Sequence, residues 1–447
     1  LATVPAWAWQ SPSGKIAPRL EQLLLQEPEQ PRSVYIWLAD EYDIAALAQR
    51  LEREGADLQR RAREVIGNLR THARKTQAPL LEWLRARTGV DTSTIRPFWV
   101  ANLVFATMTP DAIRAAAARP DVRLVDLNAP LVVESVTRTE APEVVEAPVA
   151  PGAAEPGLVV IHAPEMWAMG YTGYGRVAFT NDTGVHPDEP AIRNQFRGLT
   201  APPEWSWFSY EGDEHQPYDC GDHGTHVTGT ILGLDRLEDD TIGVAFNAQW
   251  VGAAILCGIG TADNVAAFQW ALDPDGNPDT FEDMPDVINN SWYDPSIDDP
   301  CDNIYVPILT ALEAAGIAVV FSAGNEGPEA GTITNPHNIN VNVVNAFTVG
   351  ALNGNVASLP IANFSSRGPS ACPGTGSIRI KPEVSAPGVQ VRSCVGGGYD
   401  YYSGTSMASP HVAGAILLLK EAFPYLTGYD LKMALYQSAT DLGAPGE

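Results

Sequence analysis

The stretch "IAVVFSAGN", residues 317–325, decides the architecture. An unbroken apolar run ends in small residues and a Gly-Asn turn. A run without polar alternation suits a strand buried on both faces, as in a parallel sheet covered by helices. Working outward, "GRVAFTND" (175–182), "QWVGAAIL" (249–256), "DVINNSW" (286–292) and "AFTVGAL" (346–352) have the same character. Between them lie helical stretches: "HGTHVTGTILG" (223–233), "NVAAFQWAL" (264–272), "PILTALEAAG" (307–316) and "SMASPHVAGAILLLKEAF" (406–423). This alternation predicts an α/β fold, with a mainly parallel sheet covered by helices on both faces.

The first third has another rhythm. "SVYIWLAD" (33–40) reads as a strand. Residues 43–88 read as an Arg- and Ala-rich helical stretch broken near Pro79. "RPFWVANLVFATMT" (96–109) is strand-like, "PDAIRAAAARP" starts a helix at Pro110, and "VRLVDLN" (122–128) is another strand. The pattern predicts a small α+β domain. Residues 135–157 are rich in Pro, Ala and Glu without periodicity, and read as an exposed linker.

The chain of 447 residues carries a formal charge of −26, which argues against nucleic acid as a partner. Residues 1–150 hold 18 Lys+Arg against 19 Asp+Glu, and the remainder 10 against 35. A near-neutral unit thus precedes an acidic one. No apolar run reaches the ~18–20 residues that cross a bilayer, so no membrane role is expected. The five cysteines form no CxxC pair, which argues against a zinc ribbon. One or two disulfides in an oxidising compartment fit. Cys372 with Cys394 is the preferred pair, because the two flank one segment.

In such a sheet, functional residues gather at the carboxyl ends of the strands. Asp182 ends "RVAFTND", His223 opens a helix, and Ser406 follows a Gly-containing turn into another. A serine hydroxyl is a weak nucleophile until a base removes its proton. Histidine can do that near neutral pH. A buried carboxylate fixes the imidazole tautomer and stabilises the imidazolium. Asn325, in a Gly-flanked turn, can donate to a developing oxyanion, as can the Ser406 backbone N–H at its helix start. The rival reading of "GDHGTHVTGT" pairs His223 with His226 on zinc. A zinc-protease helix instead spaces its histidines by four, with a glutamate between. Here the spacing is three, with Gly224 and Thr225 between.

"NDTGVHPDEP", "GDHGTHVTGT", "SAGNEGP", "FSSRGP", "KPEVSAPGV" and "SGTSMASPHVAG" occur in this order. In these motifs the chain resembles the subtilisin-like serine peptidases over about residues 158–445. "APEMWAMGYTGYG" and "PDVINNSW" look most like the bacillopeptidase F branch. The resemblance implies Asp182, His223 and Ser406 as a triad and Asn325 as an oxyanion donor. It implies Ser291, Trp292, Tyr293, Gly324 and Thr334 as substrate-binding residues. The family usually has glycine where Tyr293 stands, so this tyrosine either caps the S1–S4 region or points away. No P1 preference follows. The loop "DRLEDD" occupies the place of a family calcium loop, with Asp235, Glu238, Asp239 and Asp240 as candidate ligands against the reading of a solvated acidic turn. The chemistry itself needs no cofactor.

The resemblance further implies that residues 1–134 are a propeptide that inhibits its own catalytic domain, residues 158–447. Processing is expected between Glu134 and Arg138. An unrelated N-terminal binding domain is the alternative. The family also implies that the catalytic domain continues past Glu447, that the protein is secreted, and that proteins or peptides are its substrates. A catalytically impaired scaffold on the same fold is the rival function.

Overall fold

The computed structural model describes residues 14–143, 154–209, 216–258 and 260–443. The N-terminal unit contains α1 (Pro18–Gln26), β1 (Arg32–Leu38), α2 (Ile44–Arg53), α3 (Leu58–Ala86), β2 (Val90–Phe98), β3 (Leu103–Met108), α4 (Pro110–Ala117) and β4 (Val122–Leu127). Its antiparallel sheet has the order β2-β3-β1-β4. The strand period of two divides β1 between two cores. Val34, Ile36 and Leu38 pack with Leu20 and Leu24 of α1 and Ile113 and Ala116 of α4. Tyr35 and Trp37 face the other way, into a core continuous with the second unit.

Two expectations fail here. The helical stretch does not break at Pro79: α3 runs 29 residues straight through it. Its face of Ala62, Val65, Ile66, Leu69, Ala73, Leu80 and Leu84 is buried, and this packing outweighs the one backbone bond a proline removes. The break lies earlier, where Gly55 adopts φ 60° and Asp57 caps α3 by accepting from Arg60 N–H at 2.8 Å. Residues 96–109 are not one strand but parts of two, joined by a turn in which Asn102 has φ 46°.

Part of the stretch read as a linker is strand. β5 (Val132–Val133) and β6 (Thr137–Thr139) are strands, and β6 completes a three-stranded antiparallel sheet with β17 (Val391–Val395) and β18 (Gly398–Ser403). Part of the proposed linker, residues 144–153, lies outside the described residues.

The second unit begins with the short helices α5 (Pro156–Val160) and α6 (Ala163–Ala168). Its strands are β7 (Val177–Asp182), β8 (Trp207–Phe208), β9 (Leu234–Asp235), β10 (Asp240–Thr241), β11 (Gln249–Ala254), β12 (Val287–Asn290), β13 (Trp292–Tyr293), β14 (Ala318–Ser322), β15 (Phe347–Leu352) and β16 (Val384–Pro387). Its longer helices are α7 (His223–Leu232), α8 (Thr261–Ala271), α9 (Tyr305–Ala315), α10 (Thr405–Ala422) and α11 (Gly428–Ser438). Among the described residues seven strands form one parallel sheet, in the order β16-β15-β14-β12-β7-β11-β8. β7, β12, β14 and β15 are buried along their whole length, which is why they read as runs without alternation. α8 and α9 belong to the core on one face, α7 and α10 to the core on the other. The fold is α/β with a small α+β unit attached.

The two units meet through apolar packing and ion pairs. α2 and α3 contact α9, and β2 contacts α8. Arg63 pairs with Asp279 at 2.6 Å, Arg96 with Asp263 at 3.2 Å, and Arg70 with Asp273. The arginines of the near-neutral unit therefore sit on carboxylates of the acidic one. Gln269 Oε1 accepts from the backbone N–H of Trp99 at 2.7 Å and of Val100 at 3.3 Å.

Candidate active site

The carboxyl ends of β7, β12 and β14 and the starts of α7 and α10 converge. Asp182 closes β7, wholly buried, and its Oδ1 lies 2.7 Å from His223 Nδ1. The Thr183 backbone N–H also donates to that oxygen, at 2.7 Å. With Nδ1 donating to the carboxylate, His223 presents Nε2 as its free lone pair. Gly224 makes this approach possible. A Cβ there would stand 2.0 Å from the Gly184 carbonyl oxygen and 3.1 Å from Asp182 Cβ. The backbone of the β7 loop, rather than substrate, is what demands a glycine.

Ser406 is the second residue of α10 and is fully buried. Neither Ser406 Oγ nor His223 Nε2 has a hydrogen-bond partner among the described residues. Asn325 follows β14 through Gly324, which has φ 105° and faces the Thr334 side chain. Thr405 donates to Asn325 Oδ1 from its backbone N–H at 2.9 Å and from its hydroxyl at 3.0 Å. Two donors on the oxygen orient the amide, so the Asn325 NH₂ faces the cleft.

Burial pulls the His223 pKa down, but attraction and a hydrogen bond from Asp182, with help from Asp219 and Glu134, leave it above 6.5. His226 behaves oppositely. It is buried, its Nε2 is 3.1 Å from the Val391 carbonyl, and its ring stacks on Tyr402 at 4.4 Å. Burial, with repulsion from His223, pushes it down to about 3. His226 is a neutral packing residue whose Nε2–H donates to a carbonyl, and among the described residues no third His, Cys, Asp or Glu gathers with it and His223 into a metal-binding group.

Residues 132–139 lie across this cleft. Val132 and Val133 pair antiparallel with Tyr293 and Trp292. The Glu134 N–H donates to the Ser291 carbonyl at 3.4 Å. The Asn325 amide donates to the Ser135 carbonyl at 2.8 Å. Beyond it, Thr137, Arg138 and Thr139 pair with Ser403, Tyr402 and Tyr401 of β18. Arg138 donates to the Tyr402 hydroxyl at 3.0 Å and pairs with Asp400 at 3.4 Å and Asp222 at 3.5 Å. Tyr293 thus presents its backbone to an extended chain while its side chain stays partly exposed.

The Glu134 side chain is buried, with Oε1 2.9 Å from the Thr334 hydroxyl. That hydroxyl is also 2.9 Å from His337 Nδ1, and His337 Nε2 is 2.9 Å from the Trp292 carbonyl. Burial pushes the Glu134 carboxyl up to about 7, with repulsion from Glu326, against the pull of Thr334, His223 and the Asn325 backbone N–H. Sequence reasoning marks Glu134 only as one end of the processing window and does not distinguish His337. The one available signal is that His337 stands three residues after Thr334 in "TITNPHN".

Asp235, Glu238, Asp239 and Asp240 are not gathered into one cluster among the described residues. Asp235 Oδ1 accepts from the Leu237 N–H of its own turn at 2.9 Å, and Asp240 pairs with Arg392 at 2.7 Å. Among the described residues the acidic side chains that converge are Asp273, Asp275 and Asp283, and Asp273 carries the ion pair with Arg70. The disulfides are Cys220–Cys257 and Cys301–Cys372, not Cys372–Cys394. Cys394 is a buried free thiol, with Sγ 3.7 Å from the Thr225 carbonyl of α7. Flanking one segment says nothing about spatial approach, which is set by how the sheet stacks the loops.

Asn181 points away from Asp182, as strand geometry requires. Its amide donates to Asn264 Oδ1 at 2.8 Å and Asn290 Oδ1 at 3.2 Å in a buried polar cluster.

Relatives share this framework. Bacillopeptidase F of Bacillus subtilis (strain 168) is 33% identical over 418 residues, 89% of this chain and 28% of that protein. Serine protease AprX of the same strain is 30% identical over 375 residues, covering 76% of this chain and 74% of AprX. Subtilisin of Bacillus pumilus is 31% identical over 290 residues, 64% of this chain and 92% of that subtilisin. This chain therefore spans under a third of the length of bacillopeptidase F. Residues 180–447 match the subtilase family, a span that begins within β7 and takes in the ends of every strand that carries the cleft. On that match and those relatives, the chain belongs to the subtilase family, peptidase S8.

Proposed function

We propose that this protein is a secreted serine endopeptidase whose N-terminal unit inhibits its own catalytic unit until cleaved. The observation that carries the reading is the Asp182–His223 contact of 2.7 Å, together with Ser406 buried at the start of α10 and the Asn325 amide oriented by Thr405 of that same helix start. In this mechanism Ser406 Oγ attacks the substrate carbonyl carbon as His223 Nε2 takes its proton. Asp182 holds the ring and stabilises the imidazolium. The Asn325 amide and the backbone N–H of Ser406 receive the oxyanion. The imidazolium protonates the leaving amine, and water then hydrolyses the acyl-enzyme with His223 again as base.

Inhibition is supported by residues 132–139, which occupy the cleft as an extended strand while the N-terminal unit is clamped to α8 and α9. The carbonyl under Asn325 is that of Ser135, one residue past the side chain buried beside Thr334. The strand is thus held slightly out of register for attack. Two disulfides favour an oxidising, extracellular setting.

The test is labelling of the protein by a fluorophosphonate probe. Ser406→Ala should abolish labelling and leave the chain uncut between 134 and 138. Normal labelling of that variant refutes the assignment.

A further inference from the structure

We propose, building on the peptidase reading above, that the S1 pocket is made for a glutamyl side chain and that self-cleavage falls between Glu134 and Ser135. Strand register carries the cleavage position. Val132 and Val133 pair with Tyr293 and Trp292, and the Glu134 N–H donates to Ser291. Glu134 is therefore the residue whose side chain turns into the pocket between Gly324–Asn325 and Thr334. It is buried there, not merely adjacent. Hydrolysis gives a Glu134 α-carboxylate and a Ser135 amine, with water supplying the hydroxyl and the amine taking its proton from His223.

The chemistry of the pocket carries the glutamyl selectivity. Glu134, Thr334, His337 and the Trp292 carbonyl form one chain of contacts, each 2.9 Å long. The Trp292 carbonyl only accepts, so His337 Nε2 must carry a hydrogen. If His337 is neutral, its Nδ1 accepts, and the single Thr334 hydrogen is spent on it. Thr334 can then only accept from the glutamyl group, which must be protonated. If His337 is an imidazolium, Nδ1–H donates to Thr334, and Thr334 donates to a carboxylate. Both arrangements hold the same number of protons. A carboxylate facing a neutral His337 leaves one hydroxyl hydrogen for two acceptors.

Binding a glutamyl side chain therefore takes up one proton. A glutaminyl side chain, which brings its own amide hydrogens, completes the same chain without one. The surroundings agree. No ion pair to Glu134 forms among the described residues, and the charged groups acting on it are Glu326 and His223. His337 packs on Phe321 at 4.7 Å. Lys381 acts on it but is itself paired with Glu383 at 2.6 Å. Burial and Lys381 depress His337 to about 3 and burial raises Glu134 to about 7, which favours the neutral arrangement.

The test uses the full chain after it has processed itself, with fluorogenic peptides Ala-Val-Val-Xaa. Mass spectrometry of the products should find Ser135 as the new N-terminus. A cut after Ser135, the carbonyl under Asn325, overturns the assignment. At pH 6, kcat/KM for Xaa = Glu should exceed that for Leu or Phe by at least about 100-fold. Equal or faster turnover of Leu or Phe, with fluorophosphonate labelling intact, refutes the glutamyl pocket and leaves the peptidase reading standing. Loss of labelling refutes both. Thr334→Val should lower the Glu/Leu ratio about 10–100-fold, and Thr334→Ser should restore it. Should Thr334→Val not fold, the wild-type Glu/Gln ratio decides. It should fall roughly tenfold or more between pH 5 and pH 7.5, with the titration of His223 cancelling. A pH-independent ratio refutes the proton uptake.

Discussion

Glu134→Gln in a Ser406→Ala background measures what the buried carboxyl costs. A carboxyl moved from 4.5 to about 7 costs about 3 kcal/mol to ionise in place. Glu134 is 1% exposed, so solvent screening gives little discount. The sign follows from which state holds the proton. Below pH 4.5 the carboxyl is protonated whether residues 132–139 are docked or free. Between 4.5 and about 7 the free carboxyl ionises while the docked one keeps its proton, so docking weakens as pH rises. Above about 7 both are ionised and the loss saturates. Hydrogen-exchange protection factors of the Val132–Thr139 amides should therefore fall on the order of 100-fold between pH 5 and pH 8 in the protein that keeps Glu134. The Glu134→Gln variant should keep its protection across that window, because a side-chain amide does not titrate. Parallel pH profiles for the two proteins would refute the reasoning, since every other titrating group is common to both.

Three further outcomes are expected. Asp182→Asn should lower kcat about 10⁴-fold, and its pH–rate profile should shift to lower pH, because burial still depresses His223 once the attraction from Asp182 is gone; single-turnover rates across pH check both. Asn325→Ala should cut kcat about 10²–10³-fold with little change in KM, measured on the processed enzyme with a saturating peptide. Cys394 should resist iodoacetamide in the native protein and react once unfolded, because burial raises its thiol well above the ordinary range; stoichiometric native alkylation would contradict this placement.

Residues whose surroundings are local were the readable ones. "IAVVFSAG" and "VAFTND" announce buried parallel strands because both faces are covered, and Asp182, His223 and Asn325 sit at or just past the ends of elements that their own neighbours shape. What escaped reading is decided by partners distant in sequence. "TRT" at 137–139 becomes a strand only because β18 offers an edge more than 260 residues later. Cys301 finds Cys372 across 71 residues, and a pocket threonine meets Glu134 across 200. Pro79 reads as a break by local rules, and the buried face of α3 overrides them.

The unbroken passage of residues 132–139 across the cleft under Asn325 would set two different concentration laws. On the proposed self-cleavage, the first bond to be cut would be delivered by the protein's own fold, so that event would be unimolecular, with the same half-time in a dilute or a concentrated solution. Afterwards the N-terminal unit would be a separate molecule, held by its carboxylate–arginine contacts and apolar face, and its return would be bimolecular. Dilution therefore leaves cutting untouched but favours release. A protein exported into a large volume would ripen at constant speed and become active as its severed half drifts away.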